Sequence, residues 1–169
     1  WPYQTKGLFG LRNFCVDNEK GERIVKANSI WVLVDARTGR PMRITEEVSS
    51  HYPDEPKLEM DYCDRKIAIP NQYEEKPAIE VPHYFIDTNR HMNNAKYVMV
   101  AEEYLPEDAV VKEIRIEYKN AAVLGDRMIP RVTIADDSVT VVLVDENGKA
   151  YATVLFLLYI EERGKYEVR

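Results

Sequence analysis

Only one long stretch of this sequence has the spacing of a buried helix, and it stands in front of a succession of strands. Residues 93 to 104 set Tyr97, Ala101 and Tyr104 on one stripe at intervals of four and three, and Leu105-Pro106 closes the run. Before it, Ala78 to Ile86 alternates towards a strand. Behind it come Val110 to Tyr118, Met128 to Asp136, Ser138 to Asp145 and Tyr151 to Ile160, the last two joined by Asp145-Glu146-Asn147-Gly148. Strand, helix, then antiparallel strands is an α+β order, in which the helix has to cover the apolar face of the sheet. With 45% hydrophobic residues over 169 positions, the chain has enough apolar material for such a core.

The first part of the chain lacks a comparable helix. Leu8 to Asp17 and Arg23 to Asp35 read as a hairpin around Asn18-Glu19-Lys20-Gly21, and a second turn follows at Ala36-Arg37-Thr38-Gly39. Ile44 to Tyr52 is expected to form a short helix with Thr45 as N-cap and Val48 facing inward, until Pro53 and Pro56 break it. Charges and prolines then mark residues 53 to 80 as connecting sequence with at most short extended pieces. The organisation expected is a first unit over 1–52, a linker over 53–77 and a second unit over 78–169. An internal echo links the two units: Trp31-Val32-Leu33-Val34-Asp35 with Gly39 matches Val141-Val142-Leu143-Val144-Asp145 with Gly148. Hairpins converge on such patterns by composition as well. The chain opens with WPYQTKGLFG, already strand-like and without Met, so a leading strand and helix are expected upstream of Trp1.

Several partners and chemistries are disfavoured. A net charge of -6 speaks against a general binder of nucleic acid or anionic membranes. Cys15 and Cys63 form neither a disulfide framework nor a zinc pattern, and a reducing cytoplasm suits them as small buried hydrophobes. His51 and His83 lack partners at ligand spacing, so no metal and no cofactor is expected. No apolar run reaches the length of about 20 residues that a spanning helix needs.

The segment ahead of the helix, DTNRHMNN at 87–94, is crowded with short polar groups. Asn93 or Asn94 suits an N-cap, which leaves backbone N–H groups and the positive end of the helix dipole facing outward. In an extended lead-in, Asp87, Asn89 and His91 at spacing two project to one side. A carboxylate and an imidazole can activate water, an amide can orient them, and a helix start can stabilise an oxyanion; together they suit hydrolysis of an acyl thioester. A turn and cap without chemistry would use the same residue types.

The run Asp87-x-Asn89-x-His91-x-Asn93-Asn94-x-Lys96-Tyr97 resembles the signature of the fatty acyl-ACP thioesterases, plant and bacterial enzymes that release fatty acids from acyl carrier protein. Arg12-x-Phe14, Gly21-Glu22, Ser29-x-Trp31-Val32-Leu33-Val34-Asp35 and Thr38-x-Arg40-Pro41-x-Arg43 resemble the same family, so the likeness spans almost the whole chain. It implies a tandem hot-dog fold, each unit a helix wrapped by an antiparallel sheet, with the catalytic unit second and with a first unit that here lacks its leading strand and helix. It implies Asp87, Asn89 and His91 as the catalytic set: Asp87 to activate or deliver the attacking oxygen, Asn89 to hold the network, His91 as base or carbonyl polariser. Asn93, Asn94 and Tyr97 are expected to bind substrate. The expected partner is acyl carrier protein carrying a fatty acyl chain, and a homodimer is a further possibility; Arg12, Arg23, Lys26, Arg40 and Arg43 suit either the acidic surface of that carrier or, equally, solvated strand faces.

One departure stands out. The family adds a glutamate in the context Glu-Tyr-Lys/Arg-x-Glu, whereas here Glu117-Tyr118-Lys119-Asn120 leads to Ala121-Ala122. Either Glu117 or Asp126 substitutes, or water activation is weaker. Coenzyme A as carrier, and a non-catalytic acyl- or carrier-binding role, are the alternatives that follow.

Overall fold

The computed structural model describes residues 1–159, which form two units, Trp1–Arg65 and a second beginning at Lys66. The first holds strands β1 (Pro2–Lys6), β2 (Phe9–Asp17) and β3 (Arg23–Val32) in a three-stranded antiparallel sheet of order β1-β2-β3. Its only helix among the described residues is the short α1 (Glu46–Ser49). Thr45 stands at the N-cap without a side-chain bond, and Val48 is exposed rather than inward, because a single turn this short has no second turn to tilt it onto a core.

Alternation along β2 gives this sheet two different faces. Asn13 is fully buried on one of them: its Oδ1 accepts the Leu58 N–H and the Tyr62 hydroxyl, both at 3.0 Å, and its Nδ2 donates to the Ala27 carbonyl. Lys57 lies over the Tyr62 ring at 3.6 Å, so residues 57 to 62 are pinned along this face by polar and cation–π contacts. On the other face Phe14, Val16, Val25 and Trp31 are exposed.

The second unit contains β4 (Glu74–Glu75), β5 (Ile79–Glu80), α2 (Asn94–Glu102), β6 (Val111–Tyr118), β7 (Arg127–Ala135), β8 (Ser138–Val144) and β9 (Ala150–Leu158). The sheet runs β4-β7-β8-β9-β6, antiparallel throughout, with β5 also on β7. Cross-strand pairs Val139↔Phe156, Val141↔Val154 and Leu143↔Ala152 line the inner face, and Tyr97, Val100 and Ala101 of α2 are buried in the same cluster. A helix enclosed by an antiparallel sheet is the hot-dog unit. The outer face is covered too. Ile67 is buried and donates its N–H to Glu117 Oε2 on β6, while the Thr133 hydroxyl on β7 donates to the Gln72 carbonyl at 2.6 Å. The chain between these ends crosses the outer face, where Thr140, Val142, Val144 and Thr153 are buried.

The expected strand over 78–86 shrinks to β5. Pro82 has no N–H to give a ladder, and its carbonyl instead closes a 3-10 turn over His83–Phe85 by accepting the Phe85 N–H. β3 stops at Val32, short of Asp35, because the chain bends into a turn bridged by Val34 and Pro41. Cys15 is half-buried and Cys63 exposed, so neither is the buried hydrophobe that residue type suggests. The expected end of the last strand at Ile160 lies outside the described residues.

Candidate active site

The polar segment ahead of α2 is a closed loop rather than an extended lead-in. Ile86 and Met92 bridge as antiparallel neighbours, and the Asn93 N–H donates to the Phe85 carbonyl at 2.8 Å, so the loop's ends are tied together. Met92 is buried and its N–H reaches the Ala122 carbonyl, anchoring the loop to the segment after β6. Inside, the Asp87 N–H donates to His91 O and the Arg90 N–H to Asp87 O, with Arg90 at φ 63°, in the left-handed region. The Asp87 carboxylate closes the turn: Oδ1 accepts the Asn89 N–H at 2.8 Å and the His91 N–H at 3.4 Å. An Asp can fold back on the N–H two residues on, and that local bond outcompetes the extended form.

Asp87, Asn89 and His91 nevertheless converge. They line one cleft of about 380 Å³ with Asn93, Asn94 and Tyr97 along the start of α2, and Tyr118, Lys119, Asn120 and Ala121 form the opposite wall. Asp87 is half-buried; Asn89 and His91 are exposed to the cleft. Asn93 is the N-cap, its Oδ1 accepting the Ala95 N–H at 2.9 Å while its carbonyl takes the Lys96 N–H. The helix end therefore has part of its donors satisfied within the chain.

Tyr97 is buried, and its hydroxyl accepts the Ala122 N–H at 2.8 Å; burial raises its phenol pKa, so it stays protonated at neutral pH. The Tyr118 ring packs edge-on against it with centroids 5.7 Å apart, and the Tyr118 hydroxyl donates to the Asn94 carbonyl at 3.1 Å. Burial raises the Tyr118 phenol as well, so this donor persists at neutral pH. The two tyrosines thus brace the start of α2 against the end of β6.

Neither acid considered as a substitute for the family glutamate lines the cleft. Alternation along β6 puts Glu117 on the face opposite Tyr118, where it accepts the Ile67 N–H. Asp126 Oδ2 accepts the Val123 N–H and the Tyr151 hydroxyl, whose pKa burial pushes up to about 12. Ala121 itself is exposed on the cleft wall. Lys119, beside it, lines the cleft and lies 3.7 Å from Glu117. Sequence reasoning missed Tyr118, Lys119 and Asn120 as cleft residues, although the motif context around Ala121 pointed to this stretch. Among the described residues no group of three or more His, Cys, Asp or Glu could hold a metal ion, and no helix is long and apolar enough to cross a membrane.

This arrangement can be compared with known proteins. A model of the acyl-ACP thioesterase N-terminal domain matches residues 1–52, and one of the acyl-ACP thioesterase C-terminal domain matches residues 69–153. A chloroplastic oleoyl-acyl carrier protein thioesterase from Arabidopsis thaliana is 29% identical over 133 residues, which cover 69% of this chain. A chloroplastic acyl-(acyl-carrier-protein) hydrolase from Cuphea viscosissima is 28% identical over 88% of this chain. The matches span 36% of the length of each of these relatives. Among solved structures, an acyl-ACP thioesterase from Bacteroides thetaiotaomicron superposes with a TM-score of 0.81 at 18% identity, over 94% of this chain and 66% of that one. A 12:0-ACP thioesterase from Umbellularia californica does so with 0.78 at 20%, over 95% and 64%. At such identities the superpositions show the shared fold. With family models matching both parts of the sequence, the chain belongs to the acyl-ACP thioesterase family.

Proposed function

We propose that this protein hydrolyses the thioester of acyl-ACP and releases free fatty acid in fatty acid biosynthesis. The observation that supports the reading most is that Asp87, Asn89 and His91, carried on one closed loop, border a single cleft at the start of α2. His91 takes the proton of the attacking water as its oxygen adds to the acyl carbonyl carbon. The oxyanion meets the Asn89 amide and N–H groups near the helix start. The C–S bond then breaks, the carrier leaves as thiolate and takes up a proton, and the fatty acid remains. Asp87, with Oδ1 on two loop N–H groups, holds His91 and Asn89 in place. Asn93 and Asn94 border the acyl group at the cleft mouth, and Tyr97 supports the wall behind it.

The carrier is acyl carrier protein in this reading, and the compartment is reducing, such as the cytoplasm. One observation favours a second reading, an acyl- or carrier-binding protein with weak hydrolysis: Ala121 leaves the wall opposite His91 without a carboxylate. A panel of acyl-ACPs from short to long chains, with matched acyl-CoAs, tests both. Fatty acid release from at least one acyl-ACP is expected. Release from acyl-CoA alone would reassign the carrier, and binding of acyl-ACP without any release would favour the second reading.

A further inference from the structure

We propose that Asp126, which lies outside the cleft, is a positioning residue for the reaction, because its carboxylate fixes the peptide group from which the loop of Asp87, Asn89 and His91 is hung. The inference rests on that loop carrying the reacting groups, and it deepens the reading by naming what holds the loop against the opposite wall.

Residues 122–126, which follow β6, hold the loop from both sides. Downstream, the Met92 N–H donates to the Ala122 carbonyl at 2.8 Å; upstream, the Val81 N–H donates to the Asp126 carbonyl at 2.8 Å and the Val81 carbonyl accepts the Gly125 N–H at 3.0 Å. Val81, Met92 and Ala122 are buried, so a bond lost there strands a polar group away from water. The Ala122 carbonyl and the Val123 N–H are the two ends of one planar peptide group. Asp126 Oδ2 accepts that Val123 N–H at 2.9 Å. A carboxylate on the N–H end fixes the plane of the group and polarises its carbonyl, which strengthens the bond to Met92 at the other end. The Ala122 N–H donates to the Tyr97 hydroxyl at 2.8 Å, so a rotation of this stretch is felt by α2 as well.

Packing does not keep the stretch in shape. Val123, Leu124 and Gly125 are exposed, and Gly125 stands at φ 82°, in the left-handed region. The Asp126 N–H closes the turn on the Val123 carbonyl at 3.1 Å, and the carboxylate adds the reciprocal bond. The same Oδ2 accepts the Tyr151 hydroxyl at 3.1 Å, which ties the turn to the start of β9. The Tyr151 carbonyl in turn accepts the Lys119 and Asn120 N–H groups at 2.8 and 3.1 Å, so the cleft wall and the turn share one support.

Native-state amide hydrogen exchange of the whole protein reads the positioning without any turnover. In Asp126→Ala the Met92 amide is expected to exchange at least about tenfold faster than in the wild type, while the amides of β8, in the middle of the sheet, stay within about twofold. On acyl-ACP the same variant is expected to lose about tenfold or more in kcat with KM within about twofold, the signature of a displaced reacting group. Asp126→Asn keeps an oxygen that can accept both the Val123 N–H and the Tyr151 hydroxyl, so Met92 exchange and kcat are expected to return to within about threefold of the wild type. Should the alanine variant fail to fold, Tyr151→Phe, which withdraws one of the two bonds on Oδ2, carries the same test with a smaller expected acceleration at Met92 of about threefold. An unchanged Met92 amide, or an equal acceleration of the β8 amides, would overturn the proposal. An asparagine variant as slow in turnover as the alanine variant would make the carboxylate a chemical group rather than a support, and would overturn it too. The two readings fail separately. No hydrolysis by the wild type, with the expected exchange pattern, sinks the hydrolase reading alone; hydrolysis with wild-type kcat in Asp126→Ala sinks the positioning role alone.

Discussion

Two stretches of similar sequence, Trp31–Val34 and Val141–Val144, end on aspartate-closed turns that differ by one residue in length, and live in opposite environments. After the first, Asp35 Oδ1 accepts the Arg37 and Thr38 N–H groups and the Gly39 N–H reaches Asp35 O; after the second, Asp145 Oδ1 accepts the Asn147 and Lys149 N–H groups and the Gly148 N–H reaches Asp145 O. Gly39 and Gly148 sit at φ 67° and 78°, where a side chain is disfavoured. Yet Val144 is 2% exposed and Val34 51%. Short-range sequence sets the turn, while burial depends on what lies over each face. In the second unit α2 packs inside the sheet and residues 67–72 pass outside it; in the first, the described residues leave Phe14, Val16, Val25 and Trp31 exposed.

The same side-chain device, an aspartate closing a turn, recurs at Asp87, where it shapes a cleft instead of a hairpin. The sharpest way to break the comparison is to remove both acceptors. Asp87→Ala should release the loop and lower acyl-ACP turnover by about 100-fold or more, since displacing a catalytic group by about 1 Å costs on the order of that factor. Asp35→Ala, which opens a turn of the same chemistry in the first unit, should leave turnover within about twofold. Steady-state kinetics on both variants decides whether the turn at 87 is special for its position.

Stability offers the next largest contrast. Val144→Ala removes buried methyl groups and should cost about 2 kcal/mol, whereas Val34→Ala on the exposed counterpart should cost less than about 0.5 kcal/mol. Urea denaturation of the two variants checks the difference, and equal costs would mean that the two stretches are covered alike.

The smallest effect concerns acid. Hydrogen bonds from the Thr38 backbone, its hydroxyl and the Arg37 backbone hold the Asp35 carboxyl below the usual range. A carboxyl with a depressed folded-state pKa contributes stability above its unfolded pKa, near 3.9, and loses that contribution as pH falls through the lower folded value. Asp35→Asn should therefore narrow the gap in stability between neutral pH and pH below about 4, measured by denaturation at both. An unchanged gap would show that the turn bonds do not discriminate the charged form.

How much of this was legible in the sequence follows the same division. The helix with Asn93 at its cap, the strands after it and the turn at Asp145 all rest on local chemistry and were readable. The loop at 87–91 was not: Asp-x-Asn-x-His permits both an extended run and a carboxylate-closed turn, and the bridge between Ile86 and Met92 selects the turn. Glu117 read as a substitute for the absent glutamate, whereas the strand turns it to the face opposite Tyr118, where it accepts the Ile67 N–H. The prolines that mark residues 53–80 as connecting sequence concealed how closely parts of it pack, since its anchors, Asn13, Glu117 and Thr133, are distant in sequence.

The central claim is that the imidazole of His91 and the amide of Asn89 perform the chemistry from one closed loop. Release of free fatty acid from acyl-ACP by the wild-type protein, His91→Ala and Asn89→Ala, measured side by side, tests it most directly. The account predicts release by the wild type and a loss of at least about 100-fold in each variant. Wild-type rates in both variants would contradict it.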